Sequence, residues 1–350
     1  MKEFPKVTLG VINCNRLHYL KSCLESLIYC TEDYPNKEIF LVDNASIEEG
    51  TDEYLLEKEK QGIKVIRQKN RDPANEFAKA VNLITTESTG DFLCHLQGDM
   101  QFVIKGGWLE EYVSFYQKYL NHTGCICLDA QRTTRIKTQS RWSQKFHSDD
   151  YPFLYDSSRL AFCCSADVMY SRQSLEFMGL FSQDNEGHER GINSEDDMRN
   201  RLRSKIEKLD EFQAYHAMPL ISPAVAIYTD ARGTNARVRG NRRYGDYWEP
   251  KEDFRYYEIT DYDEIISRFK DREFPVGIEE LANPIGWEKP VNENGDWKKN
   301  PIRPDEASPS DYVDFGKEIS LMSHSGVTTD ENIVESNEPS YIQDWLDQGE

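Results

Sequence analysis

Long apolar segments are absent from this 350-residue sequence. None approaches the roughly 20 residues that a bilayer-spanning helix needs. The N-terminus also lacks the pattern of a secretory signal peptide. A G-x-G-x-x-G sequence and a P-loop lysine motif are both missing, which excludes a standard dinucleotide-binding fold and a P-loop enzyme. We therefore expect a soluble, cytoplasmic protein with no membrane span.

The cysteines do not have the spacing of a zinc site. All eight lie in the first half of the chain, where Cys125 and Cys127 are separated by one residue and Cys163 adjoins Cys164. Most of them lie in apolar runs, which is typical of buried thiols. This pattern predicts reduced cysteines and a reducing compartment.

Basic residues are scarce relative to acidic ones. The chain has 42 Lys and Arg against 62 Asp and Glu, giving a net charge of -20. This balance argues against general polyanion binding, which depends on neutralising phosphates with basic side chains. Residues 301–350 hold 12 acidic residues and only two basic ones, Arg303 and Lys317. We predict that 300–350 is a disordered acidic tail. Its residues 341–346 are a candidate for a short helix that binds a partner protein.

The hydrophobic pattern alternates between strand and helix along the first hundred residues. Strands are predicted at 6–13, 38–42, 62–67 and 91–97, separated by helices at 17–30, 49–60 and from Pro73. Alternation at this spacing predicts a parallel sheet with helices on both faces. Farther along, the pattern predicts a helix at 106–120, a strand at 124–128, a long loop at 131–160, a helix from Ser194, a strand at 219–229 and a helix near 262–270.

Two of the predicted parallel strands are followed by an aspartate, Asp43 and Asp99. The carboxyl ends of parallel strands share one edge of the sheet, so both carboxylates are candidates for one ligand-binding crevice. The alternative for Asp99 is that it caps the next turn.

Two later clusters also have alternative interpretations. Glu195, Asp196 and Asp197 open a predicted helix, where acids complement the helix dipole by roughly 0.3–1 kcal/mol each. An Arg-rich, glycine-bearing segment at 230–247 suits a clamp on a diphosphate. It is equally compatible with a solvated loop or a local nucleic-acid contact.

In their order and spacing, six segments resemble the family 2 glycosyltransferases, which have the GT-A fold. They are Val7 to Arg16, Glu38 to Ser46, Asn70 to Asn82, Gly90 to Asp99, Cys163 to Leu180 and Ser194 to Leu202. The resemblance extends over roughly 6–235. It implies an α/β fold of the GT-A type, with a Rossmann-like, mainly parallel mixed sheet flanked by helices. It also implies a GT-A catalytic domain at 1–250, divided into a nucleotide-sugar half (1–130) and an acceptor half (131–250). Residues 251–299 would be a helical or irregular extension, followed by the acidic tail.

The resemblance further implies an inverting enzyme that transfers a sugar from a nucleotide-sugar to a glycan hydroxyl. The expected metal is Mn²⁺ or Mg²⁺, and the expected nucleotide is UDP. In this scheme Asp43 recognises the base or ribose, Asp99 binds the metal, and Glu195 or Asp196 is the catalytic base. The remaining residues that it assigns to donor binding are Asn13, Asn15, Arg16, Asn44, Gln97, Arg232 and Arg237.

The sequence departs from the family pattern at two positions. Gln97 replaces the first acid of the metal-binding D-x-D element, and Thr229 stands where many relatives have a metal-binding histidine. The adjacent Asp230 is a substitute oxygen ligand that a hard cation accepts. Two alternatives stay open. The Arg-rich segment favours a viral-type enzyme acting on a modified base in DNA, which the net charge of -20 opposes, and Gln97 and Thr229 favour a non-catalytic glycan-binding relative.

Overall fold

The computed structural model describes residues 4–15, 17–70, 72, 75–130, 153–156, 162–164, 166–183, 194–209, 214–226, 256–272 and 275–286. The predicted tail at 300–350 lies outside the described residues. Among these, the first part of the chain alternates between strands and helices: β1 (Val7–Asn13), α1 (Leu17–Cys30), β2 (Lys37–Asp43), α2 (Thr51–Lys60), β3 (Lys64–Arg67), α3 (Glu76–Glu87) and β4 (Phe92–Gln97).

The described elements after β4 are shorter and less regular. They are β5 (Met100–Phe102), β6 (Ile104–Lys105), α4 (Trp108–Lys118), a 3₁₀ turn (Leu120–His122), β7 (Thr123–Cys127), β8 (Phe153–Asp156), β9 (Val168–Ser171), α5 (Arg172–Met178), α6 (Ser194–Ile206), β10 (Tyr215–Pro219), β11 (Ala224–Ala226), β12 (Tyr256–Tyr257), β13 (Thr260–Asp261), α7 (Tyr262–Phe269), α8 (Ile278–Leu281) and β14 (Pro284–Gly286).

The central sheet has the strand order β3-β2-β1-β4-β9-β7-β10-β8. β1 pairs in parallel with both β2 and β4, and β2 pairs in parallel with β3. β9 is antiparallel to β4 and β7, and β10 is parallel to β7. The predicted mixed, mainly parallel α/β sheet is confirmed. Because β9 reverses direction, its N-terminal end lies at the edge where β4 and β7 end.

Two predictions from the sequence are wrong in detail. The segment predicted as a loop at 131–160 contains β8, which pairs antiparallel with β10 and buries Phe153, Leu154 and Tyr155. The single strand predicted at 219–229 is instead two strands, because β10 ends at Pro219 and β11 begins after Pro223. A proline has no N–H to continue a strand ladder. β11 then leaves the central sheet and pairs with β5.

Helices cover both faces of the sheet, as the alternating pattern predicted. On one face, α1 and α4 contribute Leu20, Leu24, Leu27, Trp108 and Tyr112 to a buried cluster. On the other face, α3 and α6 contribute Ala78, Val81, Ile84, Met198 and Leu202 to a second cluster. Val7, Leu9 and Val11 of β1 belong to the first cluster and Ile12 packs against the second, because side chains in a strand point alternately to opposite faces.

The described part of 256–286 packs against the first cluster. Gln101 Nε2 donates to the Tyr257 carbonyl oxygen at 2.9 Å, and the Tyr257 amide donates back to Gln101 Oε1 at 3.0 Å. β13 pairs in parallel with β6, and Ile265 and Val276 are fully buried. This segment therefore shares the core of the sheet domain.

All eight cysteines are free thiols, and six of them are buried. This agrees with the prediction of reduced cysteines. Within the described part of the chain, no helix is long and apolar enough to cross a membrane.

His95 is a buried titratable group on β4. Its Nε2 lies 3.2 Å from Thr85 Oγ1, and that hydroxyl already donates to the Val81 carbonyl at 2.9 Å. Nε2 and the Thr85 hydroxyl therefore form a hydrogen bond inside the core. Burial, reinforced by the positive charge of Arg172, lowers the pKa of His95 from 6.5 to about 3.

We predict that His95 makes folding sensitive to acid. Its pKa is lower in the folded state, so the unfolded chain binds the additional proton and stability falls as the pH drops from 6.5 towards 3. Relative to His95→Gln, the native protein should lose up to about 1.4 kcal/mol per pH unit across that window. Urea unfolding at several pH values measures this, and parallel pH profiles for the two proteins would contradict it.

Candidate active site

Polar side chains gather where β1, β2 and β4 end, at Asn13, Asp43 and Gln97. We call this edge of the sheet the carboxyl edge. Asn13 pairs with Asp43 in the β1–β2 register, and Ile12 pairs with Gln97 in the β1–β4 register. The parallel pairing therefore brings together three turns that are separated by about 30 and 50 residues in the sequence. Open α/β sheets bind ligands at this edge.

Asp43 is the centre of a hydrogen-bonded group at this edge. Its Oδ1 accepts from Asn13 Nδ2 at 2.8 Å and from Ser46 Oγ at 2.5 Å, while its Oδ2 accepts from the Ser46 amide at 2.9 Å. The Asp43 residue is only 3% exposed. These contacts hold the carboxylate in a fixed orientation at the end of β2.

Asn15 and Asn44 tie the two loops of this group to each other and to β3. Asn15 Oδ1 accepts from the amides of Ile47 and Glu48 at 2.8 and 3.2 Å. Asn44 Oδ1 accepts from Gln68 Nε2 at 2.5 Å. Asn15 and Ala45 have φ values of 51° and 53°. Left-handed backbone at a non-glycine residue is uncommon and concentrates at functional sites.

The turn from Gln97 to Asp99 lies beside this group. The Gly98 amide donates to the Ile12 carbonyl at 2.9 Å. A Cβ atom at Gly98 would lie 3.1 Å from that same oxygen and 3.4 Å from Asn13 Oδ1, so the close approach of the turn to β1 favours glycine. Asp99 follows directly and is 3% exposed. Burial is the main reason that the pKa of the Cys23 thiol is raised, and the carboxylates of Asp99 and Asp167 raise it further. Both carboxylates therefore lie near Cys23.

The acidic cluster opens α6, as predicted. Asp196 forms an ion pair with Arg199, and Asp197 forms one with Arg201 at 2.8 Å. Arg201 also donates to the Leu180 carbonyl at 2.9 Å. Two of the three acids are thus engaged by arginines of their own helix.

The first turn of α6 lies near the segment that leads into β9. Burial raises the pKa of the Cys164 thiol most, and the carboxylates of Glu195 and Asp196 contribute to the same rise. Cys164 precedes Asp167 by three residues, so α6 approaches the carboxyl edge from the side of β9.

The structure brings Asn13, Asn15, Asp43 and Asn44 into one hydrogen-bonded group, with Gln97 and Asp99 on the adjacent turn. Four other predicted site residues lie outside the described residues: Arg16, Asp230, Arg232 and Arg237.

Sequence reasoning missed three residues that hold the site together. Ser46 bonds to Asn13, Asn15 and Asp43; Glu48 Oε2 accepts from the Leu17 amide at 2.7 Å at the start of α1; and Asp167 bonds to the turn before Asp99. The position of Ser46, three residues after Asp43 in a turn-forming run, was the available signal for the first. Glu48 and Asp167 bond to residues that lie 31 and 70 positions earlier in the sequence, and no local sequence pattern predicts such contacts.

Residues 8–179 match the family model described as "Glycosyl transferase family 2". This segment, just under half of the chain, is similar to glycosyl transferase family 2. It contains β1 to α5, with the whole carboxyl edge at Asn13, Asp43 and Asp99, and ends before α6. The GT-A fold class expected from the sequence is confirmed. No curated protein sequence matches the chain.

Several solved structures are similar to the chain. TarS 1-349 from S. aureus is 14% identical, with a TM-score of 0.41, over 61% of this chain and 60% of that one. PcManGT from Pyrobaculum calidifontis, a mannosyltransferase in complex with GDP-Man and Mn²⁺, is 17% identical, with a TM-score of 0.41, over 68% of this chain and 61% of that one. GalNAc-T7, with UDP, GalNAc and Mn²⁺, is 13% identical, with a TM-score of 0.41, over 63% of this chain and 44% of that one. The chain thus spans about 60% or less of the length of these proteins.

The carboxyl edge has the donor chemistry for a cation held jointly by protein and substrate. Among the described residues, no cluster of three or more His, Cys, Asp or Glu side chains could hold a metal ion. Mg²⁺-type sites, however, commonly use one or two carboxylates, with phosphate oxygens and water completing the shell. Asp99 fits this pattern within the family 2 segment.

The contacts of Asp43 generate a stability prediction. In Asp43→Asn, an amide NH₂ group would face either Asn13 Nδ2 or the Ser46 amide, leaving buried donors unsatisfied. We expect this variant to lose about 1–3 kcal/mol of unfolding free energy in urea. The matched control is Asp52→Asn, because the Asp52 side chain is 80% exposed and its ion pair with Arg67 spans 3.6 Å. Equal stability of the two variants would show that the Asp43 group is not a structural centre.

Proposed function

We propose that the protein is a metal-dependent, inverting glycosyltransferase that transfers a sugar from a nucleotide-sugar, with UDP as the first nucleotide to test, to a hydroxyl of a glycan. One observation carries the proposal. Within the segment that matches the family 2 model, the Asp43 group and the Asp99 turn converge on one edge of the parallel sheet.

The donor would bind across this edge. Asp43 would recognise the base or ribose, with Asn13, Asn15 and Asn44 fixing its loop. Arg16, which precedes α1 in the sequence, would also contribute to donor binding. Asp99, beside Gln97 and assisted by Asp230, would hold Mn²⁺ or Mg²⁺ together with the diphosphate. The bound cation would supply Lewis-acid stabilisation of the charge that develops on the leaving group. Arg232 and Arg237 would add positive charge around the diphosphate.

The acceptor would be activated by a carboxylate of α6. Glu195 takes the proton from the acceptor hydroxyl while that oxygen bonds to the anomeric carbon. The bond from this carbon to the diphosphate oxygen breaks at the same time, and the nucleoside diphosphate leaves with the bonding electrons. A single displacement inverts the anomeric configuration. Glu195 is favoured over Asp196 because Asp197 and Arg201 then fall where the family that the sequence resembles has its following Asp and Arg.

A thermal-shift screen of nucleotide-sugars, with and without Mn²⁺, tests the donor directly. A ligand present at 100 times its Kd should stabilise the protein by about 2.7 kcal/mol. We expect one nucleotide-sugar to do this in a Mn²⁺-dependent way. If no nucleotide-sugar stabilises the protein and none is hydrolysed or transferred, the non-catalytic alternative takes its place.

Asp99→Ala should reduce transfer by about 100-fold or more, because the cation contributes several kcal/mol of charge stabilisation in the transition state. The measurement is release of the nucleoside diphosphate at saturating Mn²⁺, with circular dichroism to verify the fold. If the folded variant retains full activity, the metal assignment is incorrect.

Glu195→Gln should lower kcat by about 10²–10⁴-fold, which is the usual contribution of a general base. Asp197→Asn is the matched control, because Asp197 lies two residues away on the same helix turn and pairs with Arg201. It should keep most of the activity. A large loss in Asp196→Asn with little change in Glu195→Gln would transfer the role of base to Asp196.

A further inference from the structure

Asp167 lies at the carboxyl edge but had no place in the predicted site. It immediately precedes β9 and is 4% exposed. Its φ of 66° is in the left-handed region, which aspartate and asparagine adopt more readily than other non-glycine residues. Its backbone is fixed from both sides: its amide donates to the His95 carbonyl at 2.5 Å, and its carbonyl accepts from the Leu128 amide at 2.9 Å.

The side chain of Asp167 reaches from this fixed position to the turn before Asp99. Its Oδ1 accepts a hydrogen bond from the Gln97 amide at 3.1 Å. This contact crosses from the start of β9 to the end of β4, where the regular strand pairing stops at His95 and Val168. The carboxylate therefore extends the connection between the two strands beyond their last paired residues.

Two further contacts hold the same turn from other directions. Cys23 Sγ on α1 donates to the Gln97 carbonyl at 3.5 Å, and the Gly98 amide donates to the Ile12 carbonyl of β1 at 2.9 Å. The peptide groups of Gln97 and Gly98 are thus hydrogen-bonded to the residue that precedes β9, to α1 and to β1. Of these three contacts, only the one from Asp167 uses a carboxylate as acceptor.

We propose that Asp167 is a positioning residue of the donor site, which fixes the Gln97–Gly98–Asp99 turn so that the Asp99 carboxylate points at the cation and diphosphate. This inference rests on the proposed function. Asp167 acts through the Gln97 backbone and does not itself contact the donor. Gln97 contributes its backbone amide to this contact. The neutral side chain at the first D-x-D position therefore does not weaken the contact with Asp167.

Two substitutions distinguish the hydrogen-bonding role of Asp167 from a role of its negative charge. Asp167→Asn keeps an Oδ1 acceptor and a residue that tolerates the left-handed backbone, while removing the charge. Asp167→Gly removes the acceptor without straining φ. The first readout is the Kd of Mn²⁺ in the presence of UDP. The second is hydrogen exchange of the amides from Gln97 to Asp99 in the protein without ligand.

We expect Asp167→Gly to weaken Mn²⁺ binding by about 10- to 100-fold, as losses of outer-shell support typically do, and to accelerate amide exchange across the turn. Asp167→Asn should remain close to the native protein in both measurements. Two results would overturn the proposal: native Mn²⁺ affinity in Asp167→Gly, or an equal loss in both variants, which would indicate a role for the charge. If the native protein binds neither Mn²⁺ nor UDP, the proposed function fails; unchanged exchange in Asp167→Gly would then overturn the positioning role as well.

Discussion

Parallel pairing of β1 with β2 and β4 is the constraint on which the rest of the site depends. It forces three strands to end at the same edge, so the loops after Asn13, Asp43 and Gln97 become neighbours. Antiparallel β9 then delivers Asp167 to the same edge from the opposite direction. The polar side chains meet because of sheet topology rather than because of their separation in sequence.

Hydrogen bonding converts this convergence into a fixed site. The backbone groups that leave the strands at this edge are bonded to side chains of neighbouring turns, as with Ser46 and Asp43 or Gln97 and Asp167. Asn15, Ala45 and Asp167 have left-handed backbone at the same edge. Such conformations persist only where the surroundings determine them fully. These contacts organise the edge without a ligand, which would reduce the entropic cost of binding the proposed donor there.

The fold and part of the site could be predicted because their signals are local. Hydrophobic periodicity located β1 to β4 and their helices, and the acids at the ends of the predicted strands pointed to Asp43 and Asp99 as candidates. The missing parts depend on distant contacts. β8 is short and lies next to β10 only through tertiary pairing, and Asp167 meets Gln97 only because β9 runs antiparallel to β4. The prolines at 219 and 223 indicate a break between two strands, but the apolar run around them is also typical of one continuous strand.

The central claim is that the donor binds across the carboxyl edge, with the cation at Asp99 and the nucleoside at Asp43. A crystal soaked with UDP and Mn²⁺ tests it most directly, because the anomalous signal of Mn²⁺ locates the cation independently of the nucleotide density. The account predicts a single strong peak within coordination distance of the Asp99 carboxylate, with the nucleoside against Asp43. A Mn²⁺ peak remote from Asp99, or a nucleotide bound away from β1 and β2, would contradict it.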